Sequence, residues 1–285
     1  MNSPIFANKL TLSEVLAKLR QAENLVFDVD GTLVERQQTL SPEFASTLAE
    51  TGKNLLIATS RASNELDEIF LFSGSTRERL FKGHIVLEDG GVVINPQGQK
   101  ELSVDKEIVK AIIKFREFIL KNMTPDSQFP NWYRLGNIDS PLVFLPTQYD
   151  YQTSFSLWQK IDGLSLEEKN QALAAVMHWC QKAVSHLEIE GAFNLSEIGD
   201  GTLRASAHGI SKGEALKRLF SSKVLDPKKT VYFGDGQNDV HAAKILRESG
   251  GDVVVANTYC SDLVKTGSFV LQTGPNGIRE LLNSL

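Results

Sequence analysis

Cysteine is nearly absent: Cys180 and Cys260 are the only two in 285 residues, and they lie far apart. With no Cys-x-x-Cys pair and no paired histidines nearby, neither a disulfide framework nor a zinc site is expected, and both read as reduced thiols in packed surroundings. The five histidines, His84, His178, His186, His208 and His241, also lack metal-ligand spacing. Long apolar runs are missing, since no stretch approaches the roughly 20 uncharged apolar residues that span a bilayer. Asn8, Lys9, Glu14 and Lys18 interrupt the N-terminal segment, which is unlike a secretory signal. A membrane role is therefore not expected, and the cytoplasm is the expected location. There is no surplus of positive charge: 30 basic against 35 acidic residues give a formal charge of -5. Nothing offsets a polyanionic backbone, so nucleic acid is not an expected partner.

What is present is an ordinary globular composition, 41% apolar and 23% charged, at a length that allows one large α/β unit or a core with a second lobe. Asn24 to Asp28 is a short apolar run suited to a strand buried on both faces of a parallel sheet. Ser41 and Pro42 cap and open a helix through about Glu50 that stops at Gly52. A second buried strand covers Leu55 to Ala58, and a helix is predicted from Arg61 to about Phe72. Strands at His84–Leu87 and Val92–Asn95 flank the turn signal Asp89-Gly90-Gly91.

The alternation then breaks. Two long amphipathic helices, Asp105–Lys121 and Leu166–His186, are separated by an aromatic and proline-rich stretch from Phe129 to Phe155. Strands at Phe193–Ile198 and Thr202–Ala207 meet at Gly199-Asp200-Gly201, a hairpin signal. From Ser211 the strand–helix pattern resumes: a helix, strand Thr230–Phe233, helix Asp239–Glu248, strand Asp252–Val255, and a final strand and helix. The expected fold is α/β, a Rossmann-like parallel-sheet core over residues 1–98 and 208–285 with an α+β cap inserted at 99–207.

Open α/β sheets place their ligand sites at the carboxyl ends of strands, and Asp28 and Asp30 stand at such an end, two residues apart. Two carboxylates this close need a cation, and magnesium, a hard ion with few protein oxygen ligands, suits them. A plain Asp-Gly turn is the competing reading. A second acidic group, Asp235, Asn238 and Asp239 in FGDGQND, ends another predicted strand, and alone it could be a solvated turn with an N-cap. Together the clusters converge on one sheet edge, where uncompensated carboxylates would repel unless a metal were bound. Thr59 and Ser60 offer donors for phosphoryl oxygens at that edge. Lys212 opens a helix whose N-terminus and ammonium could face an anion, although a surface lysine would read the same way.

In order, DVDGT at 28–32, Thr59-Ser60, Lys212-Gly213 and GDGQND at 234–239 resemble the haloacid dehalogenase superfamily phosphatases. The position of the insert resembles their Cof-like subgroup with a large α+β cap, whose members are mostly sugar-phosphate or small phosphometabolite phosphatases. The resemblance implies that Asp28 attacks phosphorus and that Asp30 serves as acid and base. It implies that Mg²⁺ is held by Asp28, the Asp30 carbonyl and Asp235, and that Thr59 and Lys212 grip the phosphoryl group with help from Asn238. Asp239 then orients Lys212 or a water on the metal. Two departures stand out: serine replaces the middle glycine of the usual Thr-Gly-Arg, with function expected to survive, and the usual methionine after the last motif is missing from DVHAAK.

A phosphomutase or phosphotransferase shares the same core motifs, and a non-catalytic phosphoacceptor or binding protein is the competitor from another class. Asp30 and the large insert argue against the second. Dehalogenation is disfavoured by Asp30, Asp235 and the implied metal. Gly199-Asp200-Gly201-Thr202 mimics the nucleophile motif but sits between two insert strands. Arg134, a planar donor among Trp132, Tyr133, Phe144 and Tyr149, is the candidate for reading the leaving group.

Overall fold

The computed structural model describes residues 9–35, 38–71, 77–122, 143–146, 151–160, 165–197 and 203–285. It divides into two compact units, Met1–Ser103 with Ile210–Leu285, and Val104–Gly209. Among the described residues, no helix is long and apolar enough to cross a membrane.

The first unit opens with α1 (Leu12–Gln21), closed at its start by a reciprocal Thr11–Glu14 capping box. Then come β1 (Asn24–Phe27), α2 (Pro42–Glu50), β2 (Asn54–Ala58), α3 (Ser63–Ile69), α4 (Arg77–Leu80), and strands β3 (Ile85–Leu87), β4 (Val92–Ile94) and β5 (Lys100–Leu102). The helix expected from Arg61 starts two residues later, because Ala62 is extended and its N–H is taken by the Glu65 side chain. Where the insert is expected from residue 99, β5 instead pairs antiparallel with β4, so the first unit continues to Ser103.

The second unit holds α5 (Lys106–Asn122), β6 (Val143–Pro146), β7 (Ser154–Lys160), α6 (Leu166–His186), β8 (Phe193–Glu197) and β9 (Leu203–Ala207). Among the described residues, four strands form an antiparallel sheet in the order β6-β7-β9-β8. Strands β8 and β9 pair as expected of a hairpin, while its tip, Gly199–Thr202, and Arg134 lie outside the described residues. Phe115 packs on Phe155 and Phe193 at centroid distances of 6.3 and 5.0 Å, so α5 is anchored on this sheet by aromatic contacts.

The chain returns to the first unit through α7 (Lys212–Ser221), β10 (Thr230–Gly234), α8 (Val240–Glu248), β11 (Asp252–Val255), α9 (Ser261–Thr266), β12 (Phe269–Val270) and α10 (Gly274–Asn283). The eight strands of this unit run β12-β11-β10-β1-β2-β3-β4-β5, parallel from β12 to β3. Alternation along the strands sorts the side chains. Phe27 and Phe233, stacked at 4.6 Å, belong to one apolar layer, and Val26 and Tyr232 to the other, under α7 and α8. Burial on both faces explains why the strands are continuous apolar runs, each large side chain contributing roughly 1.5–3 kcal/mol. The topology leaves β1, β2 and β10 adjacent at the centre with their carboxyl ends on one edge.

Candidate active site

Asp28 follows β1 directly and is 4% exposed. Its N–H donates to Phe233 O at 2.9 Å, which extends the parallel ladder one residue and fixes the Asp28 backbone against β10. Lys212, the first residue of α7 after the Ser211 N-cap, is fully buried. Its Nζ donates to Asp28 Oδ1 and to Asp239 Oδ1, both at 2.7 Å. A lysine without water is tolerated only with such partners. Burial alone would lower its pKa, but Asp239 and Asp28 outweigh burial and push it up, so the ammonium stays charged. The Asp28 carboxyl is pushed well above the usual carboxylate range, by burial first and then by Asp239, against the pull of Lys212.

Asp239 accepts four hydrogen bonds. Oδ1 takes Lys212 Nζ and the Tyr232 hydroxyl at 2.6 Å, and Oδ2 takes the N–H groups of Asp235 and Gly236 at 3.0 Å. Asp235 stands in the same turn, with Asn257 Nδ2 donating to its Oδ2 at 3.3 Å. One carboxylate oxygen from each of Asp28, Asp235 and Asp239 lies within 4.8 Å of the others. Asn238 is exposed in the same turn.

Thr59 follows β2 directly, fully buried, with its N–H on Val86 O at 2.9 Å and its hydroxyl accepting from Arg61 N at 3.2 Å. Ser60 and Arg61 follow. Arg61 grips Asp30 with two bonds, Nε to Oδ2 at 2.8 Å and Nη2 to Oδ1 at 2.7 Å, and its Nη1 meets Glu65 Oε1 at 3.1 Å. The Asp30 carboxylate, with its side chain 29% exposed, is thus aimed by a guanidinium anchored at the start of α3. The fork geometry suits arginine and not lysine.

Gly31 has φ +75°, and a Cβ there would stand 2.2 Å from Asp235 Oδ2. The turn after Asp30 therefore passes against Asp235 as closely as a bare backbone allows. We expect Gly31→Ala to add about 1–2 kcal/mol of left-handed strain and to displace Asp235. Its melting temperature should fall, and turnover should drop by at least about tenfold in rate. A variant with unchanged turnover would show that Asp235 tolerates displacement.

Several residues here went unread in the sequence. Arg61 was noticed only as part of a motif, because its partner lies 31 positions away. Asn257 and Tyr232 lie beside or inside apolar runs, which carry no sign of their polar contacts. The turn expected at Asp89-Gly90-Gly91 begins one residue earlier, at Glu88. In the structure Glu88 and Asp89 hold φ of 50° and 55°, a strain of roughly 1–3 kcal/mol per non-glycine residue. Asp89 N donates to Thr59 O at 3.0 Å, and a Cβ on Gly90 would meet Ser211 O at 2.4 Å. The turn thus braces the Thr59 loop and the cap of the Lys212 helix at once.

Residues 25–259 match the family of haloacid dehalogenase-like hydrolases, well over half of the chain. The chain belongs to that family. A phosphoglycolate phosphatase of Halorubrum lacusprofundi is 21% identical over 249 residues, covering 82% of this chain and 91% of that protein. The trehalose-6-phosphate phosphatase of Aspergillus fumigatus shares the fold with a TM-score of 0.53 at 17% identity, covering 97% of each chain. A subclass IIB sugar phosphatase, BT4131, does so with a TM-score of 0.53 at 16% identity, covering 92% of this chain and 98% of its own. The two solved structures share the fold, and the family match makes this chain a haloacid dehalogenase-like hydrolase.

Proposed function

We propose that this hydrolase removes the phosphoryl group from a small phosphorylated metabolite, a sugar phosphate by preference, in the cytoplasm. The observation that carries the reading is the buried Lys212 bridging Asp28 and Asp239 at 2.7 Å, with Asp235 beside them at the carboxyl edge of the sheet. Such a constellation combines a carboxylate nucleophile with a fixed positive charge. The subclass IIB sugar phosphatase among the structural neighbours supports the sugar-phosphate preference.

The donor set fits Mg²⁺. Asp28 and Asp235 supply hard oxygens, and with Asp239 the cluster carries more negative charge than Lys212 offsets. Asp28 and Asp235, with the Asp30 backbone carbonyl, would hold the ion. Both Asp239 oxygens already accept two hydrogen bonds each, which fills the lone-pair capacity of a carboxylate and assigns Asp239 to orienting Lys212. When bound, the ion would offset repulsion between an anionic nucleophile and an anionic substrate.

Asp28 attacks phosphorus in line, and a bond from its carboxylate oxygen to phosphorus forms as the bond to the leaving oxygen breaks. Asp30, aimed by Arg61, gives its proton to that oxygen. It then takes a proton from the water that cleaves the aspartyl-phosphate and frees inorganic phosphate. Lys212 donates to phosphoryl oxygens, with Thr59, Ser60 and Asn238 around them. Selection of the substrate falls in this proposal to the inserted unit, Val104–Gly209.

The test is phosphate release from a panel of sugar phosphates and small phosphoesters in water, with no acceptor, with and without magnesium. Release that requires magnesium is expected. A folded protein that releases none from any ester would point instead to phosphoryl transfer between hydroxyls or to a binding role.

A further inference from the structure

The geometry points to Tyr232 as a positioning residue of this site: its hydroxyl shares Asp239 Oδ1 with Lys212 and so sets how tightly Asp239 draws the ammonium away from Asp28. The inference rests on the phosphatase reading and extends it to a residue outside the motifs.

Tyr232 lies in β10, between Val231 and Phe233, and is 0% exposed. Strand alternation turns it into the layer of Val26, Leu56, Ala215, Leu216 and Val240. A phenylalanine would keep the ring in that apolar layer. A desolvated hydroxyl is unfavourable unless bonded, and this one ends on the carboxylate that holds Lys212. Burial, then Asp239 and Asp28, push the phenol pKa up, so it acts as a neutral donor.

The consequence follows from counting donors and acceptors. Asp239 Oδ2 is fixed by two backbone N–H groups, so the direction of Oδ1 is set by the turn. Oδ1 divides its accepting capacity between a phenol and an ammonium. Lys212 has three N–H donors, of which one goes to Asp239 and one to Asp28, with the third available to a phosphoryl oxygen. With the phenol gone, Oδ1 would accept from Lys212 alone and draw it closer, weakening its hold on Asp28 and on the phosphoryl group.

Tyr232→Phe is the variant to make, compared with the native protein by thermal melting, by kcat and KM for phosphate release, and by calorimetric binding of inorganic phosphate with magnesium. We expect a melting temperature close to native, an increase of about tenfold in both KM and the phosphate dissociation constant, and a smaller change in kcat. In an Asp239→Asn background the same substitution should add less than about twofold, because both changes act through one oxygen. Native-like phosphate binding and KM in folded Tyr232→Phe would overturn the inference, as would a variant that fails to fold, since the hydroxyl would then be structural. An equal effect in the Asp239→Asn background would overturn it too. If the native protein releases no phosphate from any ester, the phosphatase reading fails, while the binding comparison still decides the role of Tyr232.

Discussion

Asp28→Asn abolishes phosphate release, by at least about 10³-fold in kcat/KM, while leaving the protein folded and as stable as the native form or more so. The two halves of this expectation have one cause. The Asp28 carboxyl is held well above its usual range by burial and by Asp239, so its ionised form is unfavourable where it sits. A neutral amide of the same shape removes that penalty and remains able to accept from Lys212. It also removes the proposed nucleophile, because an amide oxygen does not form the acyl-phosphate on which the proposed two-step reaction depends. Loss of activity is therefore separable from loss of fold by a thermal melt. Acid-quenched protein incubated with labelled substrate should carry phosphate in the native chain and none in the variant. Turnover within about tenfold of native in Asp28→Asn would remove Asp28 from the nucleophile role and with it the proposed mechanism.

Asp28 and Asp235 were legible because each ends a run of buried apolar residues, and such a run predicts both the strand and the edge on which its last polar residue stands. Lys212 was less so: a lysine opening a helix is usually solvated, and its burial follows from the packing of α7 over Val26 and Tyr232, which no local pattern records. The Arg61–Asp30 fork joins the ends of two strands and becomes visible only when β1 and β2 are adjacent. Tyr232 was hidden by its own chemistry, since a tyrosine within Val-Tyr-Phe satisfies the buried-strand pattern without its hydroxyl being considered. The same limit governed the elements. Leu166–His186 stands at its expected bounds because its periodicity is local, whereas β7 pairs with β9, some fifty residues on, and no local pattern records that partner. α1 was passed over although the Thr11-x-x-Glu14 box that starts it was in plain view.

Lys212→Met should damage both function and stability, and the pH dependence of the damage tells the two causes apart. Methionine matches the length of the aliphatic stem and keeps contact with the apolar layer under α7. What disappears is the ammonium between Asp28 and Asp239, both nearly or fully buried. Removing one partner from a buried ionic cluster costs about 3–5 kcal/mol, and loss of the charge proposed to grip the transferred group should lower kcat/KM by about 10²–10³-fold. In the native protein the Lys212 pKa is raised from its ordinary 10.5. Its stabilising contribution is thus fully present below that value and is lost only as pH rises through the higher folded pKa, so it operates throughout the neutral range. Asp28 has the opposite sign: its raised folded pKa makes ionisation destabilising, and that penalty grows as pH rises above the unfolded carboxylate range. Without Lys212 this penalty is unopposed. The gap in melting temperature between native and Lys212→Met should therefore be small near about pH 5 and wider near about pH 8, and added magnesium should narrow it at the higher pH. A gap of the same size at both values would mean that the lost stability comes from packing of the side chain and not from its charge.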